Sequence, residues 1–163
     1  MSVCVRHTLP HVLPIIWIEE CRDVMMPSCV ERRATPREEL WSRFKALAYN
    51  LKHVRANGNG CSIDINEWRM GSNVLFRVER RGAQTKAVAL TASPEIEADD
   101  RLMFRVHTVT VVNGSVSGVP AERLPVAYDA RGKRFTIETT PPIEETQMAE
   151  FFLQRAERLL DGL

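Results

Sequence analysis

The sequence predicts an α+β domain: an N-terminal helix, a meander of five to six antiparallel strands and a C-terminal helix. Three observations predict it. An apolar stripe at helical spacing follows a capping box at Thr35, the period then drops to two from Cys61 to Thr139, and a second helical stripe follows Thr140. Two helices beside a single meander bury their stripes against one face of it, so both helices are expected on the same side.

The first helix has a defined start and stop. In Thr35-Pro36-Arg37-Glu38 the threonine hydroxyl can take the Glu38 amide while Glu38 reaches back, and Pro36 falls where a missing N–H costs nothing. Leu40, Trp41, Phe44, Leu47, Ala48, Leu51 and Val54 make the apolar stripe. Lys52, His53 and Arg55 suit the negative end of the helix dipole, and Asn57-Gly58-Asn59-Gly60 ends the helix.

Alternation then takes over. Cys61, Ile63 and Ile65 form one side of a first strand and Val74, Phe76 and Val78 one side of a second. Thr85 to Ala92 is a third, with Val88 and Leu90 inward. Ser93 to Asp100 reads as a loop, because Pro94 and the acids that follow break the pattern. Arg101 to Val112 is a long fourth strand, with Leu102, Phe104 and Val106 on one side and Met103, Arg105 and His107 on the other. Asn113-Gly114 is a hairpin turn. Val116 to Val119 starts the return, Pro120 interrupts it and Leu124 to Tyr128 resumes it. Lys133 to Thr139 is the last strand. Thr140-Pro141-Pro142 opens the second helix, with Glu144 and Glu145 in its first turn, a stripe through Ala149, Phe152, Ala156, Leu159, Leu160 and Leu163, and Gly162 at its C-cap.

Length and composition fit one globular domain. The chain has 163 residues, 44% hydrophobic and 26% charged, which excludes collagen-like and wholly disordered classes. A formal charge of +1 supplies no global field to select nucleic acid, a membrane surface or acidic substrates. Residues 34–163 carry the pattern. Residues 1–33 read as an accessory or disordered segment, and translation from Met25 or Met26 would remove most of it. The charge-free run from His7 to Ile18 holds two prolines and falls short of the ~20 residues a spanning helix needs, so no membrane span is expected. Glu19, Glu20, Arg22 and Asp23 stand where a signal peptide would need small residues. Cys4, Cys21 and Cys29 crowd the N-terminus, unlike a disulfide framework, and reduced thiols in the cytoplasm are the expectation. Cys4, His7, His11 and Cys21 do not have the paired spacing of a zinc site.

No matched set of acid, base, nucleophile or metal ligands emerges, and no cofactor is expected. Gly58-Asn59-Gly60 lacks the lysine and following helix of a phosphate loop. Asp64, Asn66 and Glu67 lack the further oxygen ligands that a divalent cation requires. Cys61 is the one thiol of the domain and His53 and His107 its imidazoles; His53 suits the helix end, so Cys61 with His107 defines an enzymatic alternative. The remaining feature is a basic outer sheet face, on which Arg77, Lys86, Arg101, Arg105, His107 and Arg134 alternate with apolar neighbours. Nucleic-acid sheets stack bases on aromatic residues, whereas Phe76, Phe104 and Phe135 alternate inward. The expectation is a non-catalytic binding or adaptor domain, using Arg77, Arg105, His107 and Arg134 for an anionic ligand or an acidic protein partner. Nucleic acid is the lesser alternative.

The element order is similar to that of frataxin-like proteins, whose function resides in an acidic ridge on the first helix and strand. Here that helix carries Arg37, Arg43, Lys45, Lys52 and Arg55, so the resemblance stops at element order and implies no function.

Overall fold

A computed structural model describes residues 32–163 except 56, 59, 69, 70 and 72, so most of the accessory segment and its cysteines and histidines lie outside the described residues. The capping box forms reciprocally: Thr35 N–H donates to Glu38 Oε2 at 2.8 Å, and Glu38 N–H to Thr35 Oγ1 at 3.3 Å. Helix α1 runs from there over Pro36–Arg55 and buries Leu40, Phe44 and Ala48.

The strands are β1 Asn57–Gly58, β2 Cys61–Trp68, β3 Asn73–Arg80, β4 Lys86–Ile96, β5 Leu102–Val112, β6 Ser115–Asp129, β7 Arg134–Ile137 and β8 Ile143–Glu144. Each pairs antiparallel with its neighbour in the chain, giving a curled sheet in the order β1 to β8. The count exceeds five to six because β1 and β8, of two residues each, extend the edges. A 3₁₀ turn, Glu145–Gln147, leads into helix α2, Met148–Asp161.

Three element boundaries differ from expectation. Strand β4 continues through Ser93 and Pro94 to Ile96, paired with β5 as far as Ile96↔Leu102. Pairing of β4 with β3 stops at Ala92, so Pro94 sits where the lost N–H had no strand to bond; its carbonyl is taken by Arg37 Nε at 2.8 Å. Strand β6 absorbs Pro120 rather than breaking: the pairs Val106↔Glu122 and Thr108↔Val119 leave Pro120 and Ala121 opposite His107 alone, a β-bulge. Helix α2 starts at Met148, not Thr140, because Ile143 and Glu144 pair with Ile137 and Thr136. The Glu145 carboxylate then accepts from Phe135 N–H at 3.1 Å and from Arg43 on α1, which ties this segment to both neighbours.

Both helices lie on one sheet face, as the two stripes require. Phe44 of α1 and Phe152 of α2 are 5.6 Å apart between ring centroids, and Phe104 approaches them at 4.8 and 5.2 Å. Phe76 completes the aromatic centre, and all four rings are fully buried. The α2 stripe shifts by a fraction of a turn: Met148 and Leu153 join Ala149, Phe152, Ala156 and Leu160 in the core, while Leu159 and Leu163 stay exposed. Among the described residues no helix is long and apolar enough to cross a membrane.

Candidate functional site: a trough on the outer sheet face

The sheet face away from the helices is curled into a trough of about 820 Å³, within the ~300–1,000 Å³ range of small-molecule sites. Its floor is β4, where Ala87, Ala89, Thr91 and Ser93 project outward while Val88, Leu90 and Ala92 fill the core. Small side chains on the middle strand, flanked by longer ones on β3 and β5, make the depression. Leu75, Arg77 and Glu79 form one wall, and Arg105, His107, Val109 and Val111 the other.

The register gives the trough two unlike ends. Ser93 lies beside Arg105 and Thr91 beside His107, whereas Ala89 lies beside Val109 and Ala87 beside Val111. Val116, exposed on β6, is paired with Val111 and prolongs the apolar end. Trp68, half-exposed at the end of β2, and Arg37, whose guanidinium reaches the open edge of β4, close the polar end.

The charges are committed unequally. Arg77 donates to Glu79 Oε2 at 2.8 Å, and Arg81 to Glu79 Oε1 at 2.7 Å. The hydrogen bond from Arg81 does most to hold the Glu79 carboxyl below the usual carboxylate range, against a burial effect of opposite sign. Arg37 is held by Pro94 O. Arg105 has only Glu95, at 3.7 Å, and its buried Nε has no hydrogen-bond acceptor among the described residues.

Of the residues expected on the basic face, Arg77, Arg105 and His107 therefore converge on one trough. Arg134 does not line it: the residue keeps outward parity but lies on β7, two strands beyond β5, opposite Asp129. Lys86 has the parity of Val88 and Leu90, on the helix-bearing face, and Arg101 lies before β5, bonded to Asp99 at 2.5 Å. Cys61 packs against the core on the helix side, whereas His107 faces outward, so the sheet separates the nucleophile–base pair. The acids of β2 have local partners: Asn66 Nδ2 donates to Asp64 Oδ1 and Lys52 Nζ to Asn66 Oδ1. Glu67 faces α1, where a hydrogen bond from Tyr49 and then one from Lys45 lower its pKa. Among the described residues no group of acidic, histidine or cysteine side chains is arranged to hold a metal ion.

Sequence reasoning missed Arg37, Trp68, Ser93 and the floor. The signal was present in Ala87-Val88-Ala89-Leu90-Thr91-Ala92-Ser93, where every outward position is small. Arg37 left none, since its partner is a backbone carbonyl 57 residues away. Comparison with family models, curated proteins and solved structures gives no match, so the chemistry of the trough alone speaks to function.

Proposed function

We propose that this chain is a small binding domain, without catalysis of its own, whose trough takes an anionic ligand. The observation that carries this reading is Arg105, a trough-lining guanidinium 42% exposed and held loosely, by Glu95 at 3.7 Å. An anionic oxygen accepting from its terminal nitrogens would make a charge-assisted bond shorter than that ion pair. Depth favours a small ligand over an acidic protein face, because an acidic surface would meet the rim carboxylates Glu79 and Glu95. A reducing, cytoplasmic setting belongs to this reading on the crowding of Cys4, Cys21 and Cys29 at the N-terminus.

The test uses anilinonaphthalene sulfonate, an anion with an apolar body that fluoresces on desolvation. Saturable binding to the wild type, lost in Ala89→Leu and kept in Arg134→Glu, is the expected result. Binding indifferent to Ala89→Leu in a folded variant overturns the trough as the site.

A further inference from the structure

We propose that the ligand is an aliphatic monocarboxylate, with its carboxylate at Arg105 and its chain lying along β4 over Ala89 and Ala87. The inference rests on the trough being a binding site and assigns its ligand class.

Charge sets the head. The trough is lined by three arginines, Arg37, Arg77 and Arg105, against two glutamates, Glu79 and Glu95, which leaves one positive charge among these five. Arg77 is paired with Glu79 and Arg105, more loosely, with Glu95 at 3.7 Å, whereas Arg37 meets only a neutral carbonyl, so the excess lies at the polar end, where Arg37 and Arg105 stand. One anionic oxygen pair matches it. A dianion would exceed that single charge and bring its second one against Glu95. Hydroxyls of Ser93 and Thr91 stand beside Arg105 and His107 in register, which makes this end polar beyond its charge.

Shape sets the tail. From Ser93 to Ala87 the floor runs six residue steps of extended strand, roughly 20 Å. It is one strand wide, between walls on β3 and β5 that stand about 10 Å apart at the backbone. Along the floor and the β5 wall the chemistry changes once, from hydroxyls to Ala89, Val109, Ala87 and Val111. On the β3 wall, Arg77 and Glu79 stand beside Ala89 and Ala87, Glu79 shared between Arg77 and Arg81, and their methylene stems add apolar surface. A long, narrow floor that is polar at one end and apolar at the other fits an unbranched chain with a single charged end.

The probe is dodecanoate below its micellar concentration, displacing anilinonaphthalene sulfonate from the full chain, with Trp68 fluorescence as a second readout identified by its loss in Trp68→Phe. Dodecanoate should bind about ten-fold or more tightly than dodecanol or acetate. Arg105→Gln should weaken dodecanoate about ten-fold and leave dodecanol within about two-fold. Ala89→Leu should abolish both; Val109→Asn, at a half-exposed position, replaces it if the leucine prevents folding. Acetate or inorganic phosphate binding as tightly as dodecanoate overturns the assigned tail. Dodecanol matching dodecanoate overturns the assigned head. Displacement by hexaglutamate but not by dodecanoate overturns the class in favour of an acidic peptide. In each of these the trough stands as a site, whereas dye binding unaffected by Ala89→Leu and by Val109→Asn fails the trough itself.

Discussion

Glu79 holds Arg77 with one carboxylate oxygen and Arg81 with the other, and its side chain is only 12% exposed. Its pKa is lowered, chiefly by the Arg81 hydrogen bond, so the folded state binds a proton less readily than the unfolded chain. Stability from that difference is fully present above the ordinary glutamate value of about 4.3 and is lost as pH falls through the lowered folded value. Glu79→Gln should therefore lower the urea midpoint at pH 7, and the gap to wild type should close as acid titrates the folded carboxylate. A gap that widens on acidification would contradict the pairing. At this scale parity made most of the site legible: Arg77, Arg105 and His107 alternate with buried Phe76, Phe104 and Val106, and all three reach the trough. Arg134 has the same parity and still lies elsewhere, because alternation reports the face of a residue and not the curl that carries β7 away.

Among the elements, prolines misled the reading of boundaries while glycines did not. Pro94 and Pro120 look like breaks, yet the first sits on a strand segment open on one side and the second in a bulge, positions where no ladder bond is forfeited. Which side of a strand is open depends on where its neighbour ends, and nothing local in the sequence records that. The Asn113-Gly114 turn was legible because its chemistry is local: Asn113 has φ 50° and Gly114 φ 83°, as a tight hairpin of this twist requires. Gly114→Ala should cost about 1–2 kcal/mol. The added methyl would meet nothing within 4 Å, so the penalty is conformational rather than steric. Gly118, on the same hairpin and equally open around its Cα, has no left-handed backbone angle. Its change to Ala should stabilise by about 0.4–1 kcal/mol. Chemical denaturation of the two variants checks the pair, and equal effects would place the turn elsewhere.

For the whole molecule, the decisive feature is that α1 and α2 share one core instead of owning separate ones. Phe44 and Phe152 touch each other and also Phe76 and Phe104 of the sheet, so neither helix can leave without uncovering the same rings. Residues 34–163 should therefore unfold as one unit. Urea transitions followed by far-UV circular dichroism and by the fluorescence of Trp41, which packs 6.5 Å from Phe44, should coincide. Separated midpoints would mean that one helix docks independently. This level was legible from two stripes and one alternating region, whereas the trough was not, since it arises from curl and from the relative size of side chains on three strands. Each strand of the meander bonds to its neighbour in the chain, so the sheet can assemble progressively as a ribosome delivers it. Its aromatic face, however, waits for a helix encoded after every strand. In a nascent polypeptide that ends before Met148, Phe76 and Phe104 would have Phe44 of α1 beside them but not Phe152, so half of their aromatic cover is the last part of the chain to be made.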